Sequence, residues 1–156
     1  VDLKIDWDSL KKEINLYCKQ KKIKSYLNFY EKIKLLKLKN IKIYNIIKKY
    51  EQPNNKVEYK IKKKTLKIIS KINEFYIVTN NLSSTASKVL KELKIRKKCK
   101  FIIGIENSYY PKPNTKSFKA SQHLLKKGET IYIGDKIIDK KFAKRANINF
   151  KFQKKI

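Results

Sequence analysis

The chain has 156 residues, of which 41% are hydrophobic, with three Gly, three Pro and a formal net charge of +28. This length and composition predict one domain with a real core, and they exclude disordered and fibrous classes. No apolar run approaches the ~20 residues that cross a bilayer. Val1–Lys4 also opens no apolar secretory signal, so we expect a cytoplasmic protein without a membrane partner.

The positive charge favours anionic partners, but it does not by itself predict nucleic-acid binding. Only Arg96 and Arg145 are Arg among the 41 Lys and Arg residues, whereas proteins that read guanine and phosphate favour the planar guanidinium. The lysines are also spread along the whole chain and are not gathered in one arm. We interpret them mainly as background composition on solvated faces, and a basic nucleic-acid-binding module is the less favoured alternative.

The first third of the chain predicts amphipathic helices. Apolar residues recur there mostly at three- and four-residue steps, with a break near Lys39-Asn40. The residues concerned are Leu16, Ile23, Tyr26, Leu27, Tyr30, Ile33 and Leu36, and then Ile43, Ile46, Ile47 and Tyr50. The stretch 51-EQPNN-55 is rich in turn formers and predicts a linker.

The rest of the chain alternates predicted strands with predicted helices. Strands are expected at 75–79, 101–104 and 131–134, with an edge-like strand at 147–152. Helices are expected at 65–72, from the turn at 80–85 to 93, at 117–125 with a stop at Lys127-Gly128, and at 138–146. Continuous apolar strands between helices indicate βαβ units, so the predicted fold class is α/β with a parallel sheet covered on both faces.

The carboxyl ends of these strands are the expected place for a ligand, because open parallel sheets bind ligands in the crevice beyond those ends. The residues found there are Thr79-Asn80-Asn81, Gly104 and Gly134-Asp135. Two of the three ends offer polar groups suited to an anion or a metal. The sequence therefore predicts a site at this edge of the sheet.

Asp135 and Asp139 are conspicuous in a chain that has only five Asp. Two carboxylates at a strand-to-helix junction suit Mg²⁺, which binds through one or two carboxylates together with waters and substrate phosphate. The alternative is structural, with one Asp capping the following helix and the other pairing with Lys136 or Lys140.

Thr79 and Lys112 are two further candidates. The Thr79 hydroxyl and the N–H groups of the next turn could hold a phosphate at the start of a helix, or Thr79 is a plain strand end and cap. Lys112 lies between Pro111 and Pro113, which fix the backbone on both sides. Its ammonium is then presented rigidly to a phosphate or a carboxylate, or the segment is a simple proline loop.

The order of these features is more specific than any one of them. A strand ending in Thr, a Lys-Pro, and a strand followed by Gly-Asp-x-x-x-Asp occur in 75-FYIVTNN-81, 111-PKPNTKSF-118 and 131-IYIGDKIIDKKFAKRANI-148. This series resembles motifs II, III and IV of the haloacid dehalogenase (HAD) superfamily of phosphohydrolases. Two residues depart from the family pattern, Lys136 where a small hydroxylic residue is usual and Asn147 where Gly is usual.

The resemblance, which covers more than half of the chain, implies a fold and an activity. The fold is a HAD-like Rossmannoid three-layer core with a parallel sheet, formed by residues 1–11 and 57–156, and a small all-helical cap formed by residues 12–56. The activity is a Mg²⁺-dependent phosphohydrolase that acts on a small phosphomonoester through an aspartyl-phosphate intermediate.

By the same resemblance, motif I falls in 1-VDLKIDWDSL-10, with Asp6 as the nucleophile and Asp8 as the general acid and base. Ser9-Leu10 replaces the Gly-Thr of the family motif. The alternatives are that Asp6 or Asp8 caps a helix that begins near Ser9, or that the motif belongs to a segment upstream of residue 1.

The resemblance also assigns the metal ligands. Mg²⁺ would be held by Asp6, by the backbone carbonyl of Asp8 and by Asp135. Asp139 would hold the water shell of the metal or orient Lys112.

The remaining assignments concern the substrate. Thr79, Asn80 and Lys112 would bind the phosphoryl oxygens, and the cap would close over the leaving group. Two other functions stay open: a HAD-like protein with a degenerate motif I that serves as a binding or scaffold protein, and the basic nucleic-acid-binding module.

Overall fold

The computed structural model describes residues 1–35, 41–108, 110–125 and 129–153, which form eight helices and six strands. The helices are α1 (Trp7–Gln20), α2 (Phe29–Leu35), α3 (Ile41–Glu51), α4 (Lys63–Ser70), α5 (Ser83–Glu92), α6 (Ile105–Ser108), α7 (Lys116–Lys119) and α8 (Ile137–Ala146). The strands are β1 (Asp2–Leu3), β2 (Tyr59–Lys60), β3 (Phe75–Val78), β4 (Cys99–Ile103), β5 (Ile131–Gly134) and β6 (Asn149–Phe152). Each described helix is too short or too polar to cross a bilayer.

The architecture is α/β with parallel strands, as predicted. Strand β3 pairs in parallel with β4, and β5 pairs in parallel with β6 across helix α8. The chain divides into two compact units, Val1–Tyr109 and Tyr110–Ile156. The first unit contains α1 to α6 and β1 to β4, and the second contains α7, α8, β5 and β6.

The segment before Asp6 is not a strand of the predicted parallel sheet. Strand β1 has two residues and pairs antiparallel with β2, Asp2 opposite Lys60. The physical reason lies in the sequence, because charged Asp2 and Lys4 are poor fillings for a strand that is covered on both faces. Lys62 binds Asp2 at 2.8 Å on this exposed edge.

The hydrophobic core of the first unit is built by α1, α2 and α3. Helix α1 buries Leu10, Ile14, Tyr17 and Cys18, which recur at three- and four-residue spacing on one face. They join a cluster of buried side chains completed by Ile33, Ile43, Ile46, Ile47, Leu82 and Ile105. Leu82 and Ile105 come from outside the predicted cap, so the cluster joins residues on both sides of the predicted boundary at 56–57. The boundaries of core and cap stay predictions.

Three details of the sequence pattern differ from the structure. Leu16 and Tyr26 fit the predicted apolar pattern but are 53% and 76% exposed, and Tyr26 lies in the turn between α1 and α2. The helix predicted at 117–125 is present only as α7 and a short 3-10 turn, because Leu124 is exposed and gives the second half no buried face. Its predicted stop at Lys127-Gly128 lies outside the described residues.

The predicted linker 51–55 begins inside the core of the first unit. Glu51 is the last residue of α3 and, like Gln52, is 3% exposed. Burial raises the pKa of Glu51 to about 7, and the nearby charge of Glu106 acts in the same direction. Hydrogen bonds from Thr85 and from the Leu82 amide lower the pKa but do not offset the effect of burial.

The raised pKa of Glu51 predicts pH-dependent stability. The folded protein holds a proton on Glu51 that the unfolded chain loses above its ordinary pKa of 4.5. The free energy of unfolding should therefore fall between pH 4.5 and about 7, by on the order of 2–3 kcal/mol. Denaturant unfolding at several pH values, followed by Trp7 fluorescence, should show this slope in the wild type and not in Glu51→Gln. Equal slopes in both proteins would contradict the prediction.

Candidate active site

Asp6 caps helix α1 and is exposed to solvent. Its Oδ1 accepts a hydrogen bond from the Ser9 backbone N–H at 3.0 Å, and the helix starts at Trp7. Hydrogen bonds from Ser9 hold the pKa of Asp6 below its usual value, so the carboxylate is ionised at neutral pH. Asp8 lies in the first turn of the same helix, where a negative charge interacts favourably with the helix dipole. The contact of Asp6 is thus the one that the capping alternative requires, and its catalytic role stays a prediction.

Asp6 also lines an open cleft of about 450 Å³ in the first unit. The basic side chains of the cleft are Lys4 and Lys49, and Tyr50 forms part of the same wall. Glu13 on α1 fixes that wall, because its Oε2 accepts hydrogen bonds from Lys49 Nζ at 2.9 Å and from Tyr50 Oη at 2.7 Å. The cleft therefore holds two carboxylates, those of Asp6 and Glu58, beside two lysines, of which Lys49 is already paired with Glu13.

Thr79 and Asn80 lie on the loop that follows β3. The Thr79 amide donates to the Ile103 carbonyl at 2.9 Å and so continues the pairing of β3 with β4. The Thr79 Oγ1 accepts from the Asn81 amide at 3.1 Å, which closes a tight turn. Asn80 is hydrogen-bonded to the half-buried side chain of Tyr30, whose pKa is raised mainly by burial.

The loop leads into helix α5, whose first amides are capped by distant carboxylates. The N-cap residue is Leu82, whose side chain cannot accept a hydrogen bond. The Leu82 amide donates to Glu51 Oε2 at 2.9 Å, and the Ser83 amide donates to Glu106 Oε1 at 2.7 Å. Gly104 is required beside them, since a Cβ there would collide with the Ser83 backbone and with Glu106.

Lys112 and Asp139 form a buried ion pair in the second unit. Lys112 Nζ lies 2.5 Å from Asp139 Oδ1, and their side chains are 14% and 7% exposed. The Tyr132 hydroxyl lies 3.2 Å from Lys112 Nζ and 3.3 Å from Asp139 Oδ1. The Lys-Pro loop, strand β5 and helix α8 therefore meet at these three polar atoms.

Asp139 uses both of its carboxylate oxygens in this arrangement. While Oδ1 faces Lys112 and Tyr132, Oδ2 accepts from the Lys136 amide at 3.2 Å and caps the start of α8. Of the two roles that the resemblance implied for Asp139, these contacts are those of orienting Lys112. They also combine both parts of the structural alternative, a helix cap and a pairing with a lysine, in one residue.

Tyr132 keeps its proton, since burial and then the charge of Asp139 raise its pKa well above the usual value. Its hydroxyl can therefore donate to Asp139 while it accepts from Lys112. The ring packs against Phe142 at 5.3 Å and against Phe150 at 6.1 Å between centroids, which fixes the hydroxyl.

Asp135 is half-buried directly after β5. The preceding Gly134 has to lack a side chain, because a Cβ there would collide with the side chain of Asp139. Among the described residues, no three His, Cys, Asp or Glu side chains cluster as a ready-made metal site. The predicted ligands, the carboxylates of Asp6 and Asp135 and the Asp8 carbonyl, are oxygen donors of the kind that Mg²⁺ takes, and Mg²⁺ needs few protein ligands because it retains waters.

The predicted site residues are divided between the two units. Asp6, Asp8, Thr79 and Asn80 belong to the first unit, and Lys112, Asp135 and Asp139 belong to the second. The structure brings Lys112 and Asp139 into direct contact.

Sequence reasoning missed the polar side chains that hold these elements, namely Glu51, Glu106 and Tyr132. Of these three, only Tyr132 could have been found from the sequence. It lies in the apolar run before Gly134-Asp135, and a buried Tyr hydroxyl needs a hydrogen-bond partner.

The chain is similar in fold to a solved structure, and this match supports its α/β fold. It matches the HAD-hydrolase YfnB from Bacillus subtilis, solved bound to magnesium, with a TM-score of 0.52 and 14% identity over 96% of this chain and 82% of that chain. A HAD-superfamily hydrolase of subfamily IA from Geobacter sulfurreducens matches with a TM-score of 0.46 and 16% identity, over 92% of this chain and 79% of that chain.

No curated protein sequence matches the chain. The family model for haloacid dehalogenase-like hydrolases matches residues 3–152, which is nearly the whole length. The order of Thr79, Lys112 and Asp135 along the chain, the parallel strands that precede Thr79 and Asp135 and this match agree, and the chain belongs to the haloacid dehalogenase-like hydrolase family.

Proposed function

We propose that this chain is a Mg²⁺-dependent phosphohydrolase that cleaves a small phosphomonoester through an aspartyl-phosphate on Asp6, in the cytoplasm. The observation that carries the proposal is the position of Asp6, an exposed and ionised carboxylate in a cleft that also contains Lys4, Lys49 and Glu58. A carboxylate is nucleophilic only when ionised and accessible, and the net charge of +28 on the whole chain favours an anionic substrate.

The reaction would proceed in two displacements. Asp6 attacks the phosphorus with a carboxylate oxygen, the ester P–O bond breaks, and Asp8 gives a proton to the leaving alcohol. Asp8 then takes a proton from water, which attacks the phosphorus, releases inorganic phosphate and restores Asp6.

Mg²⁺ held by Asp6, the Asp8 carbonyl and Asp135 would screen the repulsion between the carboxylate and the phosphoryl oxygens. Within the chain itself, Lys112, Thr79 and Asn80 would bind those oxygens. Lys112 is suited to this task because Asp139 and Tyr132 already fix its ammonium, so little side-chain entropy is lost on binding. The helical segment 12–56 would act as the cap over the leaving group.

A second function has specific support, namely a HAD-like protein without catalysis that serves as a binding or scaffold protein. Asp6 caps a helix that starts one residue later, and Ser9-Leu10 stands where the family motif has Gly-Thr. The short β1 pairs antiparallel and not within a parallel sheet. The following experiments separate the two functions.

The first experiment replaces the nucleophile. Asp6→Asn should lower hydrolysis of p-nitrophenyl phosphate by on the order of 10³ or more, since an amide cannot form the phosphoenzyme. Its stability should be unchanged, because Asn caps a helix as well as Asp does. Asp2→Asn, a matched change at another exposed Asp, should retain activity. Full activity in Asp6→Asn would exclude Asp6 as the nucleophile, and an inactive wild type would favour the scaffold function.

The second experiment separates the two roles of Lys112. Lys112→Met should abolish most activity and also destabilise the protein by about 3–5 kcal/mol, because it leaves the buried Asp139 carboxylate unpaired. Adding Asp139→Asn removes that charge, so the double variant should regain stability but not activity. Thermal unfolding and hydrolysis of p-nitrophenyl phosphate measure the two effects. Recovery of activity together with stability would show that Lys112 does not act on the substrate.

The third experiment tests the metal. Removal of divalent cations with EDTA should abolish hydrolysis of p-nitrophenyl phosphate, and added Mg²⁺ should restore it. Asp135→Asn should raise the Mg²⁺ concentration needed for half-maximal activity by at least about tenfold, since a charged ligand becomes neutral. Activity that persists in EDTA would contradict the metal assignment.

A further inference from the structure

The start of helix α5 depends on two carboxylates that are remote in sequence. The amides of Leu82 and Ser83 point out of the helix and have no acceptor within it. Glu51, from the end of α3, accepts from the Leu82 amide, and Glu106, from α6, accepts from both the Ser83 amide and its hydroxyl. Three separate segments of the first unit are therefore joined at one helix terminus.

Glu51 is the contribution of the helical segment 12–56 to this junction. It is almost completely buried, which is costly for a carboxyl group and is reflected in its raised pKa. The next residue, Gln52, adds hydrogen bonds from Nε2 to Ser84 Oγ at 3.0 Å and to Thr85 Oγ1 at 2.9 Å. These contacts fasten α3 to the first turn of α5.

The loop that carries Thr79 and Asn80 runs directly into this junction. The Asn81 carbonyl accepts from the Ile105 amide at 3.0 Å, and the Asn81 amide donates to Thr79 Oγ1. The Leu82 amide is the next donor along the chain, and its acceptor is Glu51. If the backbone at Leu82 moved, the adjacent Asn81 would move with it, and so would the Thr79 hydroxyl that is bonded to the Asn81 amide.

We propose that Glu51 is a positioning residue, which fixes the loop of Thr79 and Asn80 through the Leu82 amide. Glu51 binds the loop at the backbone amide of Leu82, and this contact is the route by which it would act. The consequence for phosphate binding rests on the function proposed above, whereas the positioning of the loop does not.

The groups that face Glu51 agree with this role. The Thr85 hydroxyl and the Leu82 amide bind its carboxyl group, while the charge of Glu106 opposes its ionisation. Tyr30, from α2, is influenced by the charge of Glu51 and is also hydrogen-bonded to Asn80. The helical segment thus reaches the loop at two neighbouring points, Tyr30 on Asn80 and Glu51 on Leu82.

The test measures backbone amide exchange by NMR in the full chain. Glu51→Leu removes the acceptor and keeps the volume, so Thr79, Asn81 and Leu82 should all exchange about tenfold faster, as expected for the loss of one buried hydrogen bond. Glu51→Gln retains an acceptor and should exchange as the wild type does. Should Glu51→Leu fail to fold, Glu51→Asp, which draws the carboxyl group back by one methylene, should show the same change to a smaller extent.

Gln52→Leu is the matched control, because it removes hydrogen bonds to the same helix terminus without affecting the acceptor of Leu82. It should leave the exchange of Thr79 and Asn81 unchanged. Faster exchange at Leu82 alone in the Glu51 variants would overturn the proposal, because Glu51 would then be only a cap. An equal effect of Gln52→Leu on Thr79 and Asn81 would overturn it as well.

Titration with inorganic phosphate adds the functional readout. In the wild type, phosphate should shift the amide signals of Thr79 and Asn80, and Glu51→Leu should bind it about tenfold more weakly while Glu51→Gln binds it normally. A merely structural role would lower thermal stability without changing this affinity in the folded protein. Absence of any shift in the wild type would count against the proposed function, whereas the exchange rates decide the positioning role independently.

Discussion

The first unit depends on one constraint: the free amides at the start of α5 need acceptors that the helix itself does not supply. A leucine at the N-cap cannot satisfy them, so Glu51 and Glu106 approach from positions far along the chain. Burying these carboxyl groups is unfavourable unless their hydrogen bonds form, and those bonds form only when α3, α5 and α6 are correctly placed. The same need explains Gly104, whose missing Cβ leaves room for the approach of Glu106 to Ser83. Packing of Leu82 and Ile105 in the hydrophobic cluster then follows from where these contacts hold the backbone.

In the second unit, the start of helix α8 is capped by a residue of the same helix. Asp139 in the first turn of α8 accepts from the Lys136 amide and thereby caps its own helix, and its other oxygen holds Lys112. One carboxylate therefore links the helix start, the Lys-Pro loop and Tyr132 of β5. Gly134 has the role here that Gly104 has in the first unit, since in both cases a Cβ would occupy the space of the capping carboxylate. The ends of β4 and β5 thus each combine a glycine with an acidic side chain at a neighbouring helix start.

The sequence predicts those parts of the fold that depend on local pattern. Apolar runs gave β3, β4, β5 and β6, and the order of Thr79, Lys112 and Asp135 indicated the family. Glu51 was predicted to lie in a linker, because turn formers follow it and because nothing local marks a carboxylate that caps a helix 31 residues away. Hydrogen bonds of such long range leave no periodicity in the sequence. At Asp6 the two-Asp spacing fits a helix cap and a catalytic motif equally well, so the sequence left both open, and it did not predict the antiparallel pairing of β1.

Because lysine is so abundant in this chain, the contacts of the few acidic residues say more about how the fold is held than those of the lysines. The chain has 13 Asp and Glu against 41 Lys and Arg. A carboxylate at almost any surface position would therefore have a lysine nearby. Several carboxylates are instead committed to defined contacts: Glu13 holds Lys49 and Tyr50, Glu51 and Glu106 hold α5, and Asp139 holds Lys112. Replacing one exposed lysine should change the free energy of unfolding little, because surface ion pairs contribute little to stability. Removing Glu51 or Asp139 leaves a buried donor or cation without a partner, which is the more destabilising change. Asp6 is one of the exposed acids, and its capping contacts with Ser9 leave its charge accessible to the cleft, where a nucleophile would need it.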